Sequence, residues 1–130
     1  MKVLLSIKPE FVEKIFSGEK RFEYRKSLFK NRNVDSIVIY STMPIGRIVG
    51  EFKIKAIHKN DPKEIWRRTK KYSGISENFF FDYFKHKTEA CAIEILEVKK
   101  YKKPINPKKN FPNFVPPQSF CYVKSNYQFD

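Results

Sequence analysis

Acidic residues are scarce in this chain. Asp and Glu number 14 against 27 Lys and Arg, which leaves a formal charge of +13 and a pI of about 9.8. Such an excess of cations on so short a chain points to a polyanionic partner, nucleic acid first. Long apolar runs are missing too. No stretch approaches the roughly 18 residues that a membrane-spanning helix needs. No basic amphipathic helix offers a clean apolar face to a membrane surface, and no leader pattern opens the chain. A membrane partner is therefore not expected. Cysteine is limited to Cys91 and Cys121, both in segments that read as strands. Two buried free thiols in a reduced, cytoplasmic setting are the expectation. His58 and His86 stand apart from any second ligand at metal spacing, so no metal site is expected. The phosphate-loop and G-x-S-x-G patterns are absent, and no cofactor is expected.

Aromatic residues, by contrast, are plentiful, with 13 Phe and 7 Tyr among 130 residues. That length suits one domain with one sizeable core, much of it aromatic. We expect a single domain over residues 1–123 and a loose tail over 124–130.

Residues 4–25 read as strand, short helix, turn and strand. Leu5 and Ile7 alternate with Ser6 and Lys8, the pattern of a half-buried strand. Pro9 fits a first helical position, where its missing N–H has no partner to lose. Phe11 and Ile15 give an i, i+4 apolar stripe, and Gly18 is a left-handed stop. Beyond it, Phe22 and Tyr24 share one face while Arg21, Glu23 and Arg25 share the other. Lys20, Glu23 and Arg25 are thus expected close together at one mouth of the fold, offering donors to a phosphate or a base. The plain alternative is a basic edge strand with i, i+2 ion pairs. Among these cations Glu23 is expected to stay ionised. Lys20 is expected to be dispensable for the core, at less than about 1 kcal/mol on truncation to Ala.

Further along, residues 34–41 are apolar on both faces, as in a central strand. Residues 47–58 alternate with a charged outer face. Asp61-Pro62-Lys63-Glu64 opens a helix whose flank carries Arg67, Arg68, Lys70 and Lys71. Ser76 caps a second helix, with Glu77 in its first turn. There Phe80, Phe81, Tyr83 and Phe84 read as core anchors, not as a stacking platform. Residues 88–98 form a strand whose phase slips near Leu96 and Glu97, which suggests a β-bulge. The basic, proline-broken run 99–109 reads as an extended arm and not a helix, and residues 118–123 as a last strand. Strands around two or three short helices imply an α+β fold, closed as a small, mostly antiparallel barrel.

The run Gly18-Glu19-Lys20-Arg21-Phe22-Glu23-Tyr24-Arg25 matches G-x-K-x-x-E-x-R. It resembles the signature of ASCH domains, relatives of the PUA RNA-binding fold. The opening LLSIKPEF and the closing PPQSFCYV resemble one branch of the same family, so the resemblance spans nearly the whole chain. It implies a PUA-like barrel with a binding cleft at its mouth.

Three functions follow. The first is binding of single-stranded RNA or a nucleotide, with DNA a lesser candidate. Lys and Arg would track phosphates and Tyr40 would stack on a base. Ser6 and Lys8 at the end of the first strand, with Gln118 and Ser119 at the start of the last, would line the cleft beside Lys20, and Gln118 could read a base edge. An ordinary core role for Tyr40, and loop capping for those four, is the alternative. The second function is hydrolysis. Some small ASCH relatives resemble amidohydrolases of acetylated cytidine that use a Lys, a Thr and a Glu, and RNA cleavage has also been proposed within the family. Lys20 matches the lysine, Glu23 holds the place of the threonine, and Glu77 is a counterpart of the glutamate. The catalytic candidates are therefore Lys20, Glu23 and Glu77, with Lys20 and Glu23 as an acid–base pair acting on RNA or a modified nucleoside. The third is transcription regulation through DNA or protein contacts of the basic residues 66–71. Binding comes first among the three, and oligomeric state is left open.

Overall fold

The computed structural model describes residues 1–110, 112–117 and 120–123. The opening alternation becomes strand β1 (Lys2–Ile7), and Pro9 starts helix α1 (Pro9–Ser17). Gly18 ends that helix at φ +87°, and its N–H is taken by the Ile15 carbonyl. The chain continues through β2 (Phe22–Arg25), β3 (Ser36–Ser41) and β4 (Arg47–Asn60). Helix α2 (Pro62–Thr69) is capped as expected, Asp61 Oδ1 accepting from the Glu64 N–H at 3.0 Å. A 3-10 turn over Lys70–Tyr72 leads to α3 (Glu77–Tyr83), where Ser76 Oγ accepts from the Phe79 N–H at 3.0 Å. Strand β5 (Ala90–Ile105), helix α4 (Pro107–Asn110) and strand β6 (Phe120–Val123) complete the fold.

The strands form one six-stranded sheet in the order β2-β5-β4-β3-β1-β6. β1 and β3 run parallel, with α1 and β2 between them in sequence, and the other four pairings are antiparallel. The α+β class and the antiparallel bias are as expected. The closed barrel is not what the pairings form. Among the described residues the sheet is open, with β2 and β6 at its edges. Each edge strand is only four residues long, and β2 covers just the Cys91–Glu94 part of β5.

A second departure lies further along the chain. The basic run after residue 98 is extended as far as Ile105, as part of β5, but it does not stay extended as expected: residues Pro107–Asn110 are helical. Beyond Glu94 no strand among those described pairs with the outer edge of β5, so the missing N–H of Pro104 costs no ladder bond there. The run then closes in the short helix α4, with Pro107 at its start and the Asn106 side chain accepting from the Lys108 N–H at 3.1 Å. The expected bulge is present: Phe52 pairs with Val98 and Lys53 with Leu96, which leaves Glu97 out of register at φ +46°. Cys91 is buried, as expected. Cys121 is exposed, because it points outward from an edge strand; both thiols are free.

Three apolar clusters hold these elements. α1 packs Val12 and Ile15 on one face of the sheet against Leu5, Ile37, Ile39, Phe52 and Ile93. Leu4, Val38, Tyr40, Ile48, Tyr101 and Val123 fill the other face. α2 and α3 close the β2 end through Ile65, Phe80 and Phe84 around Tyr24, Ala90 and Ala92. Gly50 sits where α1 and the β4–β5 ribbon come closest. A Cβ at that position would lie 2.5 Å from the Lys99 carbonyl oxygen and 2.9 Å from the Phe16 ring. Gly50→Ala is therefore expected to lower stability by about 1–3 kcal/mol through overpacking against backbone that cannot swing aside. Urea unfolding checks this, and an unchanged midpoint would show that the ribbon yields instead.

Candidate functional site

The turn after Gly18 is held on both sides. The Lys20 N–H donates to the Lys14 carbonyl at 3.0 Å, and the Arg21 N–H to the Tyr72 carbonyl at 2.8 Å. Lys20 is thereby driven inward and is only 2 % exposed. Its stem runs beneath Gly74, which has φ +68° and whose added Cβ would stand 2.6 Å from Lys20 Cβ. The Lys20 ammonium donates to the Ser73 carbonyl at 2.8 Å. It also lies 4.8 Å from the centre of the Tyr24 ring and 5.3 Å from that of Phe11, where the ring faces attract a cation. Tyr24 is fixed in turn. The Thr69 hydroxyl donates to the Ile65 carbonyl, so the Tyr24 hydroxyl donates to Thr69 Oγ1, both at 2.7 Å.

Glu23 is also buried, at 5 % exposure, and its Oε2 accepts from Arg25 Nη1 at 3.4 Å. The two residues share the floor of a cleft of about 180 Å³. Ser6, Lys8 and Arg25 add polar groups to it, and Phe11, Ile75, Phe79 and Tyr83 supply apolar walls. Pockets for whole drug-sized ligands run to roughly 300–1,000 Å³. This one suits a base or a ribose phosphate.

Burial decides the protonation of the pair. It pushes Lys20 down to about 8, against the pull of Glu23 and with the help of the nearby positive charge of Lys14. It pushes the Glu23 carboxyl above the usual carboxylate range, against the opposing pull of Lys20 and Arg25. The cations around Glu23 alone would lower its pKa; desolvation is the larger influence and raises it. Lys20, expected from sequence to be dispensable for the core, fills space beneath Gly74 and satisfies a carbonyl.

Of the residues proposed from sequence, Ser6, Lys8, Lys20, Glu23 and Arg25 come together at the cleft. Ser6 Oγ donates to the Pro117 carbonyl at 2.8 Å, so the segment leading to the last strand reaches this mouth. Gln118 and Ser119 lie outside the described residues. Tyr40 is placed elsewhere, 4 % exposed in the second apolar cluster with its ring 5.3 Å from that of Phe114. Glu77 is exposed in the first turn of α3 and does not line the cleft.

Two aromatic residues join the site: Phe79, which the sequence did not single out, and Tyr83, which packs against the core as expected but also lines the cleft. Phe79 and Tyr83 stand one turn apart on α3 and line the cleft, while Phe80 and Phe84 face the core. Phe79 is 39 % exposed with the Lys8 ammonium 5.6 Å from its ring centre, and Lys26 stands 4.6 Å from that of Tyr83. The helical period carried the signal: residues 79 and 83 share a stripe displaced by one residue from 80 and 84.

Fold and site define a small α+β domain with a cationic, aromatic-walled cleft over a buried lysine–glutamate pair. The chain belongs to the ASCH domain family, whose model matches residues 5–105. It is 31 % identical over 126 residues to a protein of Zymomonas mobilis named ASCH domain-containing ribonuclease, covering 95 % of this chain and 84 % of that one. The crystal structure of ASCH from Zymomonas mobilis superimposes with a TM-score of 0.88 at 29 % identity, over 95 % of this chain and 88 % of that chain. An ATP synthase subunit alpha of Ureaplasma parvum is 29 % identical over 126 residues, but the match spans 94 % of this chain and only 15 % of the subunit.

The buried lysine gives a pH test. Lys20 in the fold loses its proton near pH 8, whereas an unfolded lysine holds it to about 10.4. Between those values the unfolded state binds more protons, so the contribution of Lys20 to stability rises with pH. Lys20→Met, which keeps most of the stem volume, should lack that rise. Unfolding of both proteins at about pH 7.5 and 10 measures it; identical pH dependence would show that Lys20 titrates as a surface lysine does.

Proposed function

We propose that this domain binds single-stranded RNA and cleaves it at the cleft. The observation that carries the reading is the co-burial of Lys20 and Glu23 on the cleft floor, both driven toward their neutral forms. Such displaced pairs are what acid–base chemistry near neutral pH requires. The name ribonuclease on a relative that matches 95 % of this chain supports the same reading.

In the proposed reaction one base stacks against Phe79 or Tyr83, which brings its ribose to the floor. Glu23, as carboxylate, accepts the proton of the 2′-hydroxyl. The 2′-oxygen attacks the adjacent phosphorus, and the bond from phosphorus to the 5′-oxygen of the next nucleotide breaks. The Lys20 ammonium gives its proton to that leaving oxygen. Arg25 faces the charge that develops on the phosphoryl oxygens. The products are a 2′,3′-cyclic phosphate and a free 5′-hydroxyl. The aromatic wall and the lysines on the rim would equally hold a strand that is not cut, and the experiment separates the two.

A 5′-labelled single-stranded RNA is incubated with wild type, Glu23→Gln and Lys20→Gln, with magnesium and with chelator. Cleavage by the wild type and a loss of at least about 100-fold in each variant is expected. The rate should fall above about pH 8 as Lys20 loses its proton. Retained binding with no cleavage in either condition would leave a recognition domain and refute the reaction.

A further inference from the structure

A second concave surface lies behind the cleft, between the end of α1 and the 3-10 turn. We propose that this groove, with Lys14, Lys70 and Lys71 as its cations, is a subsite for the backbone phosphates of the strand whose nucleotide enters the cleft. For the identity of its partner the subsite rests on the RNA reading above.

The groove and the cleft are neighbours across a thin wall, residues 73–75, and Ile75 lines both. The groove measures about 610 Å³, and Glu19 is its one acidic lining residue among those described. Its place against the cleft, with three lysines on its lining, sets it apart from the rest of this basic surface. Some cations elsewhere are matched. Glu64 holds Arg67 and Arg68 at 2.6–2.8 Å, and Lys2, Lys53 and Lys55 meet Glu51, Glu97 and Glu94. Among the described residues, none of Lys14, Lys70 and Lys71 pairs with a carboxylate.

A helix C-terminus would normally repel an anion, and α1 ends here. Two of its last four carbonyls are occupied: that of Lys14 by the Lys20 N–H and Ser17 Oγ, and that of Ile15 by the Gly18 N–H. Lys14 is held at the wall, its ammonium donating to the Gly74 carbonyl at 3.1 Å. At the groove edge the Arg21 guanidinium lies 4.2 Å from the centre of the Tyr72 ring and adds a further cation. The groove is shallow, so a lone phosphate gains little there. A strand already anchored in the cleft presents its next phosphates at high effective concentration. A phosphate beside Lys14 would also offset the repulsion that Lys14 exerts on Lys20, so that a correctly laid strand favours the ammonium the cleft needs.

The test uses a fluorescein-labelled 2′-O-methyl decanucleotide, which cannot be cut through a 2′-hydroxyl. Binding is followed by anisotropy at about 50 and 200 mM salt. Two double variants each remove two positive charges: K70A/K71A in the groove, and K108A/K109A in α4, distant in sequence and outside both concavities. We expect K70A/K71A to weaken binding by about tenfold and to lower the salt slope by about 1.4, at roughly 0.7 per phosphate of a single strand. The α4 pair should do much less. Equal effects of the two pairs, or no effect of K70A/K71A, would overturn the subsite, as would absence of binding by the wild type. Cleavage of a dinucleotide, too short to reach the groove, is measured in parallel. Its retention in K70A/K71A leaves the cleft reaction standing whatever the decanucleotide shows. Its absence in wild type, with groove-dependent binding intact, removes the reaction alone.

Discussion

An ammonium group buried with a single carbonyl acceptor is an unfavourable thing to build, and much of this domain's β2 end is arranged around doing so. Lys20 cannot reach its place unless α1 stops at Gly18 and the chain turns inward. It cannot lie flat unless residue 74 has no side chain. Its charge is offset by the Ser73 carbonyl, by two aromatic faces and by Glu23 at longer range. Those partners come from three segments, so placing one side chain fixes α1, β2 and the residues before α3 against each other. Removing a buried cation's partners is costly because the charge stays behind without solvent. The site and the packing around it are therefore one construction.

Much of the local structure was legible because short-range chemistry governs it. Pro9 with Gly18, Asp61 with Glu64, and Ser76 with Phe79 set helix ends through bonds spanning a few residues. The two-sided apolar run of β3 and the phase slip at Glu97 could likewise be read from alternation. What could not be read depends on neighbours distant in sequence. Pro104 looked like a strand breaker, and only the shortness of β2 shows that it sits on a free edge. For Tyr40 the pattern left base stacking and a core role both open, and the Phe114 ring 5.3 Å away decides for the core. The upward shift of Glu23 could not be read for the same reason: the nearby cations are visible in the motif, but its burial depends on residues distant in sequence. The motif did bring Lys20, Glu23 and Arg25 to one cleft. It gave no indication of Phe79 and Tyr83, which lie far along the chain.

The proteins that this chain matches differ in length. The Zymomonas mobilis relative is nearly the same length of domain, whereas the Ureaplasma parvum subunit carries the matching stretch as a small part of a longer chain. A domain whose cleft is framed by its own helices suits both settings. The sheet of this one is open at β2 and β6, and β6 is the strand that covers β1 beside the cleft mouth, through Leu5 and Phe120. The position of that edge strand bears on what can approach Ser6 and Lys8.

Lys20 and the carbonyl that accepts its hydrogen bond are 53 residues apart in the chain, and Tyr24 and Thr69 are 45 apart. β2, moreover, has no strand partner until the 91–94 segment of β5 is available. During synthesis the lysine and the glutamate thus leave the ribosome early, as ordinary solvated side chains. Only when most of the domain has followed can water be expelled from them. The buried pair is therefore a property of the completed fold and not of the nascent chain.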